Sequence, residues 1–424
     1  MLTRRVLHRL FRCAVGQINK RQQSTQQNLL ISGHINAPLT NKLQFLFPKD
    51  RPIIPVYRVL ETDGHVIDET QTPSFSDEQI VKMYKDMTLL STMDELLYQS
   101  QRQGRISFYM TNYGEEATHV GSAAALDSND LVYGQYREAG VLMYRGFQLD
   151  DFMNQCFGNL KASCKGIQMP VHYGSKKLNF VTISSTLATQ MPQAVGSAYA
   201  YKRAQNMLCV ICYFGEGASS EGDAHAALNF SATLEAPVLF FCRNNGYAIS
   251  TSATEQYRGD GVASRGPGYG IAAIRVDGND LFAVYNATKA ARDMAVNEMR
   301  PVLIEAMTYR VGHHSTSDDS SAYRSIDEVR IRDKRDNPIS RFRKYMTLRG
   351  CWNEEKEEEW VKESKRSVME SFTRCEKIKR ASPATIFENV FDKVEPHLQR
   401  QMKEMNEHIK LHHDHFPWTQ YESM

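Results

Sequence analysis

From Leu187 onward, segments with the apolar spacing of helices alternate with short runs that are apolar throughout. The pattern predicts helices at residues 187–205, 223–234 and 280–299, and strands at residues 207–214, 237–242, 271–276 and 302–309. Strands with two apolar faces are typical of a parallel sheet covered by helices on both faces. We therefore predict an α/β fold that binds its ligand beyond the carboxyl ends of the strands.

The segments that flank this pattern differ from it in composition. Residues 29–75 are rich in proline and predict an extended N-terminal arm. Helix-capping residues from Ser76 onward precede a helical pattern, so we expect the folded core to begin there. Residues 331–424 are highly charged and have helical spacing, which predicts a C-terminal helical extension. The α/β domain itself is expected to cover residues 76–330.

Basic residues are concentrated at the amino end of the chain. Residues 1–49 hold eight Lys or Arg and no acidic residue, whereas the formal net charge of the 424-residue chain is +2. Leu2, Val6 and Leu10 fall on one helical stripe between arginines, as in a mitochondrial presequence. A nucleic-acid-binding arm is the alternative, but no basic patch with interleaved aromatics supports it elsewhere. We expect residues 1–28 to be a transit peptide and the mature protein to lie in the mitochondrial matrix.

The eight cysteines show no regular spacing apart from Cys209 and Cys212. Because this pair lies within an apolar run of strand type, we expect buried free thiols and no redox or metal site. A compartment that keeps thiols reduced is consistent with this. The longest apolar runs are much shorter than the roughly 20 residues of a membrane-spanning helix, so no transmembrane segment is expected.

A glycine-rich turn, Gly215–Gly217, follows one of the predicted strands. Such a turn before a helix presents backbone N–H groups to phosphate, but Glu216 at its centre would repel a diphosphate unless a cation lay between them. Asn244 and Asn245 end the next strand, and 26 residues separate Gly217 from Asn244. The Asn245 side chain and the Tyr247 carbonyl can offer oxygens to the same ion, and Mg²⁺ prefers oxygen ligands. A plain Asn-Asn-Gly turn beside a surface acid is the alternative.

These two turns resemble the diphosphate-binding signature of thiamine enzymes, and other motifs extend the resemblance over nearly all of residues 75–424. The matching segments are Gly104–Gly114, Gly134–Gly140, Gln168–Gly174, Gly215–Asp223, Arg243–Thr251 and Gly312–Arg324. Together they resemble the alpha subunits of the mitochondrial branched-chain 2-oxo acid dehydrogenases. Pyruvate dehydrogenase-type alpha subunits share the metal signature but differ around His313–Ser315. They remain the alternative within the family.

The resemblance implies roles for individual residues. The residues implied to bind thiamine diphosphate are Tyr136, Arg137, Ser185, Leu187, Gly217, Ala218, Arg243 and His314, and His314 is also implied as a catalytic proton shuttle. Those implied to bind potassium are Ser184, Thr186, Thr189 and Gln190. Thr186 replaces a proline of the family, which still allows a backbone carbonyl to bind. Regulatory phosphorylation is implied at Ser315 and Ser325, where a phosphate near Asp318 and Asp319 would add like charge.

The resemblance also implies partners. In this family the cofactor decarboxylates a branched 2-oxo acid, and the acyl unit passes to a lipoyl group on an acyltransferase. A beta subunit provides the carboxylate that activates the cofactor, so we expect an alpha2beta2 heterotetramer, regulated by a kinase and a phosphatase, and an inactive isolated chain.

Two functions from other classes are the remaining alternatives. A nicotinamide-dependent dehydrogenase needs a ribose-binding acid about 20 residues beyond the glycine turn. Glu235 lies near that distance, but Glu216 within the turn argues against this function. A non-catalytic regulatory subunit would have lost the cofactor site, and the intact metal positions argue against that.

Overall fold

The computed structural model describes residues 28–31 and 35–422. The predicted transit peptide therefore lies outside the described residues, apart from its last residue. The chain divides into a small unit that ends at Pro52 and a large unit that begins at Ile53. The small unit contains an antiparallel pair of strands, β1 (Asn28–Ile31) and β2 (Ile35–Pro38).

The large unit contains the strands and helices that hold the candidate site. Its strands are β3 (Val56–Tyr57), β4 (Leu131–Tyr133), β5 (Phe180–Val181), β6 (Val210–Gly215), β7 (Val238–Asn244), β8 (Tyr247–Ala248), β9 (Thr251–Ser252), β10 (Ala272–Asp277) and β11 (Val302–Met307). Its helices are α1 (Asp77–Arg102), α2 (Glu116–Ala124), α3 (Ala139–Tyr144), α4 (Leu149–Phe157), α5 (Gln190–Ala204), α6 (Gly222–Leu234), α7 (Ala253–Gln256), α8 (Arg265–Gly268), α9 (Leu281–Glu298), α10 (Ile326–Asp336), α11 (Pro338–Arg349), α12 (Glu354–Glu376) and α13 (Pro396–Leu411).

A parallel sheet of seven strands, in the order β3-β10-β11-β7-β6-β4-β5, forms the centre of the large unit. Successive side chains of a strand point to opposite faces. Ile211 and Tyr213 of β6 accordingly belong to one buried cluster, together with residues of α2 and α9. Cys212 and Phe214 belong to another, together with residues of α5 and α6. The predicted α/β fold, with helices on both faces of a parallel sheet, is confirmed.

The predicted elements match the structure best where the apolar runs are longest. The predicted strands correspond to β6, β7, β10 and β11, and the predicted helices to α5, α6 and α9. Ser76 caps α1, since its hydroxyl accepts a hydrogen bond from the Gln79 N–H at 3.3 Å. The strands β3, β4 and β5 were not predicted, because two or three residues are too few to show a hydrophobic period.

Part of the predicted extended arm at residues 29–75 joins the central sheet. From Ile53 onward these residues belong to the large unit, and β3 pairs with β10 at the edge of the sheet. Val59 and Leu60 are buried, and both of their N–H groups donate to the Asp280 carboxylate, at 2.7 and 2.6 Å. Proline is tolerated at a sheet edge, where fewer N–H groups are needed for pairing, so a proline-rich composition does not exclude a strand.

The C-terminal residues are helical, as predicted, but they also contribute to the core. Phe342 of α11 and Phe372 of α12 lie in the same buried cluster as residues of α1. The Trp360 indole N–H of α12 donates to the Thr88 hydroxyl of α1 at 2.7 Å. α12 thus packs against α1 through one face and exposes its charged residues on the other.

Among the described residues, none of the helices is both long enough and apolar enough to cross a membrane. Cys209 and Cys212 are free and fully buried, as the apolar run predicted.

Candidate active site

Four loops meet at the carboxyl edge of the sheet. Residues 134–137 follow β4, Glu216 follows β6, Asn245 follows β7, and residues 308–310 follow β11. Because these strands are neighbours in the sheet, their loops are neighbours too. Ligands of open parallel sheets bind at this edge. The structure therefore brings the glycine turn and the Asn-Asn turn together.

The Glu216 side chain is buried without a full set of partners. Its exposed fraction is 1%, and its Oε1 atom has no hydrogen-bond partner. The Oε2 atom accepts a long hydrogen bond from the Asn245 N–H at 3.4 Å. Burial raises the pKa of Glu216 to about 7. An unpartnered buried carboxylate is costly unless a cation or a proton compensates it, so this oxygen fits a cation site.

The Asn-Asn turn uses its two side chains differently. Asn244 faces away from the glycine turn, because its Nδ2 atom donates to Tyr257 Oη at 2.9 Å and to Glu305 Oε1 at 2.8 Å. Asn245 lies beside Glu216, and its Oδ1 atom accepts from the Tyr247 N–H at 3.2 Å. Of the two asparagines, Asn245 is therefore the one that lies beside the Glu216 carboxylate.

The described residues contain no group of three or more His, Cys, Asp or Glu side chains placed to hold a metal. A cation between Glu216 and Asn245 would therefore depend on amide and backbone oxygens, together with phosphate or water. Mg²⁺ commonly binds in this way, with few carboxylates and with the phosphates of its substrate.

Gly217 permits close packing behind the glycine turn. A Cβ atom at this position would lie 2.6 Å from the Ala248 Cβ, which belongs to the short strand after the Asn-Asn turn. Ala218 is buried in the same cluster as Phe214. The two turns therefore fit against each other through a surface that admits no side chain at residue 217.

We expect Gly217→Ala to destabilise the protein by about 1–3 kcal/mol, because a methyl group would force the two turns apart. The same separation should weaken cofactor binding. Denaturant unfolding and cofactor titration would measure the two effects. Gly222→Ala is the matched control, since nothing lies within 4 Å of a Cβ atom there. Equal behaviour of the two variants would contradict the packing role.

Two buried arginines, Arg137 after β4 and Arg243 near the end of β7, contact carboxylates at this edge of the sheet. Arg243 forms an ion pair with Glu115 and another with Glu138, the latter with Nη2 to Oε1 at 2.5 Å. Arg137 lies 4.0 Å from Glu115, and its Nη2 atom donates to the His314 carbonyl at 2.8 Å. Burial by itself would raise the pKa of Glu115, but the charges of Arg243 and Arg137 outweigh it and lower this pKa. The site is thus a balanced cluster of buried charges.

His314 lies against the arginine cluster, with its ring edge to face with Tyr136 at 6.0 Å between centroids. Burial and the charges of Arg137 and Arg310 lower the pKa of His314 to about 3. The imidazole is therefore neutral near pH 7. An Arg310 N–H faces the ring Nδ1 at 3.5 Å, which favours the tautomer with its proton on Nε2.

The loop that carries His314 is held by a chain of hydrogen bonds. Asp318 Oδ2 accepts from the His314 N–H at 2.8 Å and from the Tyr323 hydroxyl at 2.6 Å. The Tyr323 hydroxyl in turn accepts from Arg310 Nη2 at 2.7 Å. The Arg310 Nη1 atom lies 3.4 Å from the Tyr247 carbonyl, a predicted cation ligand. Arg310 therefore connects the loop to the Asn-Asn turn.

The two predicted phosphorylation positions have different environments. Ser315 is 8% exposed, and its hydroxyl accepts from the Ser317 N–H at 3.2 Å. Ser325 is exposed and caps α10, where its hydroxyl accepts from the Asp327 N–H at 3.2 Å. A kinase could reach Ser325 directly, whereas Ser315 requires the loop to open.

The predicted cofactor and potassium residues from Ser184 to Gln190 lie in the loop after β5 and at the first residue of α5. The Ser185 hydroxyl contacts His172 Nε2 at 2.7 Å, and Leu187 is 38% exposed. Ser184 and Thr186 are exposed, Thr189 is half-buried, and Gln190 donates from Nε2 to the Tyr213 carbonyl at 3.0 Å. Ala188 belongs to the same buried cluster as Ala218 of the glycine turn.

Sequence reasoning missed Glu115, Glu138 and Arg310. Glu138 fixes the loop after β4, because its Oε2 atom accepts from the Gln135 and Tyr136 N–H groups at 2.8 and 2.9 Å. The sequence did contain a signal for Glu138, since it adjoins Arg137 within the Gly134–Gly140 motif. Glu115 directly follows the Gly104–Gly114 motif, but its pairing with Arg243 joins residues 128 positions apart.

Comparison with known proteins agrees with this geometry. Residues 84–384 match the family described as "Dehydrogenase E1 component". The chain is 60% identical over 387 residues to the mitochondrial 2-oxoisovalerate dehydrogenase subunit alpha of Homo sapiens, covering 91% of this chain and 87% of that protein. The same subunit of Caenorhabditis elegans is 59% identical, covering 91% and 89%, and that of Dictyostelium discoideum is 54% identical, covering 91% and 87%. The chain therefore belongs to the dehydrogenase E1 component family, as the sequence motifs indicated.

Proposed function

We propose that this chain is the alpha subunit of a mitochondrial branched-chain 2-oxo acid dehydrogenase, which decarboxylates branched 2-oxo acids and transfers the acyl group to a lipoyl group. The relatives named for 2-oxoisovalerate favour this substrate class over pyruvate. The observation that carries the proposal is the unpartnered Glu216 oxygen beside Asn245, at the edge of a parallel sheet and next to buried arginines. A carboxylate in a phosphate-binding turn requires a cation.

Thiamine diphosphate, the cofactor of this family, would supply the nucleophilic carbon and the electron sink for decarboxylation. We propose that Glu216, Asn245 and the Tyr247 carbonyl hold Mg²⁺ against its diphosphate. The diphosphate oxygens would be bound by Tyr136, Arg137, Arg243 and His314, and by the backbone N–H groups of Gly217 and Ala218. Ser185 and Leu187 would contact the rest of the cofactor.

His314 contributes through its protonation state. Because its imidazole is neutral and the proton is favoured on Nε2, the ring can donate a hydrogen bond to a phosphate oxygen or pass this proton on. The positive charges of the Arg137 and Arg243 guanidinium groups are compensated by the carboxylates of Glu115 and Glu138. The two guanidinium groups are therefore held in position before an anion binds.

The potassium site, the regulation and the remaining partners are further parts of the proposal. Ser184, Thr186, Thr189 and Gln190 would bind K⁺ and hold the loop before α5. Ser315 and Ser325 would be phosphorylated by a kinase and dephosphorylated by a phosphatase. An alpha subunit functions with a beta subunit, and we propose an alpha2beta2 heterotetramer bound to a lipoyl-bearing acyltransferase core. The acid-free amino end supports import into the mitochondrial matrix.

The test is decarboxylation of 3-methyl-2-oxobutanoate by the purified alpha–beta complex. We expect turnover to require both thiamine diphosphate and Mg²⁺, and to be much slower with pyruvate as the substrate. Turnover without thiamine diphosphate, or dependent on a nicotinamide cofactor alone, would contradict the proposal. Faster turnover of pyruvate would support the pyruvate-type alternative.

A further inference from the structure

Glu115 is a fully buried carboxylate that contacts one proposed cation ligand and two proposed diphosphate ligands. Its Oε1 atom accepts from Asn245 Nδ2 at 2.7 Å and lies 4.0 Å from Arg137 Nε. Its Oε2 atom pairs with Arg243 Nη1. It precedes α2, opposite the two turns, so it reaches the site from an element that carries none of the predicted ligands.

The contact with Glu115 fixes the orientation of the Asn245 amide. With Nδ2 directed at the carboxylate, the Oδ1 atom points away from Glu115, toward the Tyr247 N–H. The flipped amide would place two acceptor oxygens about 2.7 Å apart, without a hydrogen between them. The carboxylate therefore selects the rotamer that leaves an oxygen available for a cation.

The same carboxylate keeps two like charges close together. Arg137 and Arg243 both approach Glu115, and a buried pair of guanidinium groups would repel each other without a negative charge between them. Glu138 binds Arg243 from the other side, but its second oxygen is committed to backbone N–H groups. Within the described contacts, Glu115 is thus the carboxylate shared by the cation ligand and both arginines.

We propose that Glu115 is a positioning residue, which holds Asn245 in its cation-binding orientation and keeps Arg137 and Arg243 ready for the diphosphate. The inference rests on the proposed function, because it assigns Mg²⁺ and the diphosphate to this site. Glu115 does not bind either group itself. It acts on the cation through Asn245, as hydrogen-bonding partners behind metal ligands commonly do.

The experiment is a calorimetric titration of the alpha–beta complex with Mg²⁺ at a fixed concentration of thiamine diphosphate. We expect Glu115→Gln to weaken apparent Mg²⁺ affinity by about 10–100-fold, the range for such partners. Asn245→Ala should weaken it as well. The double variant should lose less affinity than the product of the two single losses, because the part of the Glu115 effect that passes through the Asn245 amide is already lost in Asn245→Ala. Losses that multiply in the double variant would overturn the inference.

Two further variants separate positioning from stability. Glu115→Asp keeps the charge but is one methylene shorter, so it should also lose Mg²⁺ affinity; full affinity in this variant would overturn positioning. Glu305→Gln is the matched control, because Glu305 is a buried carboxylate that binds Arg275 at 3.0 Å and Asn244 at 2.8 Å away from the cation. It should lower the melting temperature and leave Mg²⁺ affinity unchanged.

The experiment also distinguishes a failure of the proposed function from a failure of the positioning role of Glu115. If unmodified protein binds thiamine diphosphate without any Mg²⁺ dependence, the proposed function fails and the role of Glu115 fails with it. If unmodified protein requires Mg²⁺ but Glu115→Gln titrates identically, the positioning role alone is wrong.

Discussion

Replacing Glu216 by glutamine is expected to stabilise the cofactor-free protein and to abolish its response to Mg²⁺. The carboxylate is buried with one unpartnered oxygen, so its charge opposes folding when no cation is bound. Removing this charge should raise the free energy of unfolding by about 1–3 kcal/mol. The same change removes the carboxylate ligand, and we expect Mg²⁺-dependent cofactor affinity to fall at least about 100-fold, beyond the usual effect of an indirect partner.

The pH dependence of this stabilisation follows from the raised pKa of Glu216, about 7. A carboxyl group whose folded pKa exceeds its unfolded value binds more protons when folded, so stability falls as pH rises between the two values. The advantage of Glu216→Gln should therefore grow from about pH 4.5 to about pH 7 and then level off. Thermal unfolding with and without cofactor and Mg²⁺ measures both effects.

Glu221→Gln is the control for this prediction, because Glu221 is an exposed carboxylate in the same glycine-rich segment. We expect it to change neither cofactor-free stability nor Mg²⁺ dependence. If Glu216→Gln instead lowered the stability of the cofactor-free protein and retained the response to Mg²⁺, Glu216 would not be a cation ligand.

The part of the site that could be predicted from the sequence is the part with a local signal. Glu216 was identified because a carboxylate is chemically out of place in a phosphate-binding turn, and this conflict is visible in one segment. Asn245 was identified because parallel strands that follow each other in the chain commonly place their turns side by side. Both features are local or involve neighbouring strands.

Glu115 and Arg310 could not be found in this way. The Glu115–Arg243 pair joins residues 128 positions apart, and Arg310 reaches the Asn-Asn turn from the far side of β7. In the sequence neither residue belongs to a pattern that indicates burial, and most charged residues lie on the surface. Their burial follows from the order of strands in the sheet, which a hydrophobic pattern does not determine.

The fold shows the same difference between elements with a local sequence signal and elements that depend on distant contacts. The strands β6, β7, β10 and β11 are six or seven residues long and were predicted from their apolar runs. The edge strand β3 has two residues in a proline-rich segment, so local composition indicated an arm. Its place in the sheet depends on contacts with β10 and on the Asp280 carboxylate, more than 200 residues away in the chain.

Replacing Ser315 by glutamate is expected to reduce turnover at least about 100-fold, the usual cost of losing a preorganised donor at a charged site. The side chain at this position is buried, and an unpaired buried carboxylate costs several kcal/mol. We therefore expect the loop to open, which breaks the bonds from the His314 N–H to Asp318 and from Arg137 to the His314 carbonyl. Cofactor affinity should fall less than turnover, because Glu216 and Asn245 lie outside the loop.

Steady-state kinetics and trypsin cleavage after Arg324 would measure this opening, since the Arg324 guanidinium is buried against the carbonyls of the closed loop. The Ser315→Ala variant should keep the loop closed and retain most of the turnover of the unmodified enzyme, because the change removes one hydrogen bond and adds no charge. Ser325→Glu should change turnover less than about two-fold, since an acidic side chain is favourable at the exposed start of α10. Equal losses from glutamate at both serines would mean that added charge, and not burial, controls the site.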